Sequence, residues 1–115
     1  MTEGEIVLMP LPQADGRVKN RPSLILREML PYGDLLVCGI STQLRHFVPG
    51  FDELISPSDQ DFESSGLVAA SVIRLGYLAV LPSSAIPGSI GSISTDRHER
   101  LLRALSSYLV HGQRG

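Results

Sequence analysis

The sequence predicts a mainly β chain that closes on one α-helix. Short apolar runs such as Ile6-Val7-Leu8, Leu24-Ile25-Leu26 and Tyr77-Leu78-Ala79-Val80-Leu81 are separated by Pro, Gly and Asp, which punctuate strands. Residues 35–40, Leu-Leu-Val-Cys-Gly-Ile, are apolar almost throughout, the pattern of a strand covered on both faces. Only near the C-terminus does a helical period emerge: Leu101, Leu102, Leu105, Tyr108 and Leu109 fall on one face.

Taken in order, Glu5 to Met9 is a strand stopped by Pro10 and Pro12, since proline cannot donate to a ladder. A loop from Leu11 to Asn20 follows, with Asp15-Gly16 supplying its turn. Pro22 opens a second strand and restricts Arg21 to extended backbone, so its guanidinium projects from a defined place. Pro31 to Asp34 is a turn, and the third strand runs to Ile40-Ser41-Thr42-Gln43. Phe51 to Ile55 reads as an edge strand and Ser56 to Ser65 as loop. Residues 66–75 and 77–81 read as two strands parted by Gly76, because Gly66, Gly76 and the β-branched pair Val72-Ile73 outweigh a buried helix. A short strand near Ile90 to Ile93 precedes the helix, where Asp96 and Glu99 have capping-box spacing. Its other face carries Arg97, Arg100 and Arg103, expected to be a solvated row.

At 115 residues the chain fits one domain, residues 1–111, with 112–115 a fraying tail. With 43% hydrophobic and 19% charged residues it reads as a globular protein rather than a disordered one. No apolar run nears the roughly 18 residues of a membrane helix, and no signal segment is evident, so a cytoplasmic protein is expected. Cys38 is alone and sits within an apolar run, which excludes an internal disulfide and favours a buried small hydrophobe. A net charge of −2 does not mark a nucleic-acid binder, but its distribution is uneven. Asp52, Glu53, Asp59, Asp61 and Glu63 crowd one segment, whereas Arg17, Lys19, Arg21 and Arg27 lie near the first hairpin, allowing a locally positive site.

The first three strands then suggest a convergence. If their ends lie side by side, Arg17, Lys19 and Arg21 meet the hydroxyls of Ser41 and Thr42 at a spot the size of an anion. Each residue also has an ordinary role open to it: Arg21 capping a loop, Ser41 and Thr42 satisfying backbone groups at a strand end, Arg74 pairing with Asp34 or Glu53, His46 standing exposed in a loop.

Four segments in sequence, Gly4 to Pro10, Arg21 to Leu26, Asp34 to Gln43 and Gly66 to Leu75, resemble the PemK/MazF family of toxins, and the capped C-terminal helix resembles that family's end. The likeness spans roughly Glu3 to Val110. It implies a small antiparallel barrel of the SH3-like, CcdB-like kind, paired as a homodimer. It further implies a growth-inhibiting endoribonuclease of a type II toxin-antitoxin system, cutting single-stranded messenger RNA without metal or other cofactor. A cognate antitoxin would lay a disordered tail across the RNA groove. Arg21 matches the family's arginine before proline, and Ser41 its hydroxyl at the end of the third strand, with Thr42 beside it.

Those residue types suit RNA cleavage through the 2′-hydroxyl. Arg21, a planar donor fork charged at all working pH values, suits stabilisation of the phosphorane oxygens and is a poor proton shuttle. Ser41 and Thr42 orient the phosphate, Arg17, Lys19 and Arg74 hold flanking phosphates, and His46 and Ser71 complete the RNA-contacting set, His46 as a candidate base or acid. Tyr32, Phe47 or arginine planes are the stacking candidates. One departure matters: where many relatives carry a cation followed two residues on by a polar residue, this chain has Ala69 and Ser71. That favours a second reading, a catalytically impaired dimeric module that binds an antitoxin-like chain or nucleic acid. A gyrase-poisoning toxin of CcdB-like fold is disfavoured by a terminal helix that lacks an aromatic-rich end.

Overall fold

The computed structural model describes residues 2–12 and 14–112, with the backbone alone at Leu11 and Pro12. Six strands, β1 (Glu5–Pro12), β2 (Val18–Met29), β3 (Asp34–Ser41), β4 (Glu53–Ile55), β5 (Ser71–Leu81) and β6 (Gly88–Ser92), form one antiparallel sheet in the order β4-β5-β3-β2-β1-β6. A single-turn helix α1 (Phe62–Ser65) follows β4, and α2 (Thr95–His111) ends the chain. The fold is mainly β with a C-terminal helix, as the pattern of the sequence predicts.

The sheet curls into a half-barrel whose edges meet through α1 rather than through a ladder. Ser64 Oγ donates to Ser92 O at 3.1 Å, bringing the segment after edge strand β4 onto edge strand β6. Two glycines permit the approach: a Cβ on Gly66 would stand 2.1 Å from Ile90 O, and one on Gly91 would stand 2.2 Å from Ser64 O. No side chain fits between backbones that close.

Both faces of the central strands are dry, which explains the unbroken apolar run in β3. Ile6, Leu24, Cys38, Ile40, Ile73 and Leu75 face one core, capped by Leu101 and Leu105 of α2. Val7, Met9, Ile25, Leu35, Val37 and Ile86 form a second core on the opposite face. A bulge at Leu26 breaks the β2/β3 register, and the Leu26 carbonyl oxygen lies 2.7 Å from His98 Nε2 of α2.

Several expectations are corrected. The prolines do not stop β1: Leu8↔Pro22, Pro10↔Asn20 and Pro12↔Val18 are spaced two apart, so all three fall on one class of antiparallel pair. At such pairs the missing N–H of Pro10 and Pro12 would point away from β2, to the side where β6 no longer pairs, and proline is tolerated there. The expected loop from Leu11 to Asn20 is therefore half strand, with residues 14–17 lying between the strands. Gly76 likewise does not divide two strands, since β5 continues through it, while residues 67–70 lie outside any strand. The edge strand β4 is shorter than the expected 51–55. Ser94, not Asp96, caps α2, its hydroxyl accepting the Arg97 N–H at 3.1 Å. Of the expected tail, Gly112 is the cap of α2 and residues 113–115 lie outside the described residues.

Arg97 departs furthest from the expected solvated row. Its side chain is 7% exposed. The Nε and Nη2 groups donate to both carboxylate oxygens of Asp61 at 2.8 and 3.0 Å, and Nη1 donates to Glu53 at 2.9 Å and to Leu54 O at 2.8 Å. Asp59 accepts a further bond at 3.2 Å. Burial pushes the Asp61 carboxyl up, but bonds from Arg97 and from the Ser94 N–H outweigh that and hold it at about 2, against 3.8 ordinarily. The cluster fastens α2 to β4 and the acidic segment.

Candidate functional site

Strand register assembles the candidate residues. Ser23 pairs with Gly39 at the end of the β2/β3 ladder, and Arg21 and Ser41 each lie two residues beyond that pair, on β2 and on β3. On the other side of β3, Gly39 pairs with Arg74 and Ser41 with Val72. Paired residues of an antiparallel sheet project from one face, and alternate residues share it. Arg21, Ser41 and Arg74 thus share the face that carries Met9, Ile25 and Val37, and Lys19 belongs to it by the same alternation. Arg21 sits beside Met9 on β1.

Ser41 Oγ accepts the Gln43 N–H at 3.0 Å, so the chain itself orients this hydroxyl and leaves its proton to donate. Thr42 follows the strand and is exposed. Arg17 is exposed, 3.7 Å from Asp15 in the connecting turn, and Lys19 is exposed on β2. His46 ends a 3₁₀ turn (Leu44–His46) that packs against β5. It is half-buried, and its Nδ1 is buried without a hydrogen-bond partner among the described residues. The same turn contributes Arg45, absent from the sequence reading, whose Nη1 donates to Gln43 Oε1 at 2.6 Å.

Ser71 lies apart from this group. It is buried, alternates with Arg74 onto the other face, and donates to Ala69 O at 2.8 Å. Arg74 does not make the ion pair with Asp34 or Glu53 that the ordinary reading offered. Its guanidinium carbon stands 6.0 Å from the centre of the Tyr77 ring, and Glu53 is bonded to Arg97 and Arg100. Tyr32, a stacking candidate, is exposed in the turn after Met29↔Asp34, at the opposite end of the β2/β3 pair from Arg21. The ring beside Arg74 is Tyr77, which packs where Gly39 offers no side chain.

The acidic segment spends its carboxylates elsewhere. Asp52 accepts backbone N–H groups, Glu53 and Asp59 turn to the arginines of α2, and Asp61 is held by Arg97. Glu53, Asp59 and Asp61 are thus matched by cations of α2. Among the described residues no group of three or more His, Cys, Asp or Glu is placed to hold a metal ion, and no helix is long and apolar enough to cross a membrane. An open cleft of about 510 Å³ lies between the loop at Val48 and Phe51 and the Ala104, Tyr108 and His111 side of α2, and none of Arg21, Ser41 and Arg74 lines it.

Residues 2–109 match the family model described as PemK-like, MazF-like toxin of type II toxin-antitoxin system. No curated protein matches the chain by sequence. Among solved structures, Mycobacterium tuberculosis toxin MazF-mt6 aligns with a TM-score of 0.66 at 22% identity, covering 92% of this chain and 96% of that one. An endoribonuclease in complex with its cognate antitoxin, from a mycobacterial species, aligns with a TM-score of 0.69 at 15% identity and covers 99% of both chains. At such identities the likeness is one of fold.

Proposed function

We propose, from the premise that this chain belongs to the PemK-like, MazF-like toxins of type II toxin-antitoxin systems, that it is an endoribonuclease acting on single-stranded messenger RNA in the cytoplasm. The observation that supports this best is the register that sets Arg21, Ser41 and Arg74 on one face. In the reaction the substrate's 2′-hydroxyl oxygen bonds to the adjacent phosphorus and the bond from phosphorus to the 5′ oxygen breaks. The 2′ proton leaves to water or to a basic side chain, for which His46 is the candidate, and the leaving oxygen takes a proton. Products are a 2′,3′-cyclic phosphate and a 5′-hydroxyl. Arg21 donates to the phosphorane oxygens as charge grows there, Ser41 and Thr42 orient them, and Arg17, Lys19 and Arg74 hold neighbouring phosphates.

The partners follow from the same reading: a second copy of the chain, and a cognate antitoxin such as the mycobacterial endoribonuclease above is bound to. Apolar side chains left in water at Leu30, Tyr32, Leu109 and Val110 support association. The test is incubation with single-stranded RNA and analysis of the ends. Cyclic-phosphate and 5′-hydroxyl ends that disappear with Arg21→Ala support the mechanism, and equal cleavage by that variant removes it.

Ala69 favours a second reading, a binding module without turnover. It lies in a bend before β5, exposed, where no cation is supplied. Salt-sensitive RNA binding with no cleaved ends would select this reading.

A further inference from the structure

Between Arg74, opposite Gly39, and Leu78, opposite Cys38, β5 carries a bulge of residues 75–77. Two features hold it. The Leu75 N–H, displaced from the ladder, is accepted by Asp52 Oδ1 at 3.0 Å, while Asp52 Oδ2 accepts the Val48 N–H at 3.0 Å. Gly39 offers no side chain: a Cβ there would stand 2.5 Å from Tyr77 Cδ2. The bulge thus re-aims Tyr77 across the strand pair and lays its ring against the backbone of β3. Tyr77 remains 44% exposed and borders a shallow depression floored by Met9, Ser23, Val37 and Ala79. Arg74 stands 6.0 Å from the ring centre. Ser41 is two strand residues from Gly39, about 7 Å along β3, and Arg21 is as far from Ser23.

We infer that Tyr77 is the platform on which an unpaired RNA base stacks while Arg21, Ser41 and Arg74 hold the adjoining phosphates. This rests on the ribonuclease reading of the same face and adds to it a base-binding position. An aromatic ring beside cations grips single strands because every base has a π-face, and Arg74 over the ring adds to the attraction for phosphate nearby.

The experiment uses two uncleavable 2′-O-methyl strands of roughly ten sugars, one of mixed sequence and one abasic, since a difference between them isolates stacking from charge. Wild-type protein binds the base-bearing strand more tightly. Tyr77→Ala lowers that affinity at least about fivefold and leaves the abasic strand unaffected, while Tyr77→Phe keeps the wild-type preference. The chain has no tryptophan, so Tyr77→Trp gives a sole reporter whose emission the base-bearing strand quenches and the abasic strand does not. That reading survives even if the alanine variant fails to fold. Equal quenching by both strands, or an unchanged preference in Tyr77→Ala, overturns the platform and leaves the phosphate-binding face standing. Binding of neither strand by the wild type overturns both.

Discussion

Replacing Arg97 with methionine keeps the length and most of the apolar volume of the side chain but removes the guanidinium. Asp61, a buried residue, then loses both bonds of the fork, and Glu53, Leu54 O and Asp59 lose one each. Removing one partner of a buried ion pair typically costs about 3–5 kcal/mol, because the remaining charge stays out of water without compensation. The Asp61 carboxyl gives a second measure. Its fall from 3.8 to about 2 on folding corresponds to about 2 kcal/mol at 1.36 kcal/mol per pH unit. Because that carboxyl ionises more readily folded than unfolded, its contribution is full above about pH 4 and disappears as the pH falls through about 2. Urea unfolding of both proteins at neutral pH should show the loss, with a melting temperature lower by roughly 10–20 °C. Repeated near pH 2, the gap should narrow by about 2 kcal/mol. A neutral-pH difference below about 1 kcal/mol, as for an exposed arginine, would refute the reasoning, and so would a gap that stays constant on acidification.

Three further outcomes are expected. Arg21→Ala should lower the cleavage rate by about 10²- to 10³-fold, the usual cost of one donor to a growing oxyanion, with an unchanged circular dichroism spectrum; retained cleavage would dismiss Arg21. Gly91→Ala should cost at least about 2 kcal/mol in urea unfolding, since its Cβ would overlap the backbone of Ser64 and Ser65; unaltered stability would mean that the half-barrel does not close there. Burial, with Asp52 nearby, pushes the Cys38 thiol up to about 12, so folded protein should resist iodoacetamide near pH 8 and react once unfolded. Rapid labelling of the folded chain would contradict the buried position.

Much of the fold is legible in the sequence because period and punctuation are local. The double-sided apolar run of β3 survives intact, whereas the stripe of α2 is covered only at Leu101, Leu102 and Leu105 and leaves Tyr108 and Leu109 exposed. What escaped was pairing. Pro10 and Pro12 look like strand breakers until register shows that they share one class of site, and Gly76 looks like a gap until β5 is seen to continue through it. Arg97 escaped for the same reason: a helical wheel places it outside, and only the folded chain brings Asp61 and Glu53 across to bury it. At the candidate site, Arg21 and Ser41 stand out from their alternatives through the family resemblance more than through local chemistry, whereas Tyr77 depends on a bulge whose supporting carboxylate, Asp52, lies 23 residues upstream of Leu75. Ser71 shows the converse, a polar residue at a suggestive spacing whose hydroxyl turns to its own backbone.

The prolines of the β1/β2 arm also govern what the arm can join. Beyond Leu8, where β6 stops pairing, the outer margin of β1 passes through Pro10 and Pro12. Both sit where an amide would otherwise face an incoming strand, so this margin cannot be zipped onto another chain. Whatever docks against the arm must do so through side chains across its breadth, and the arm can project toward a partner without inviting indiscriminate strand addition.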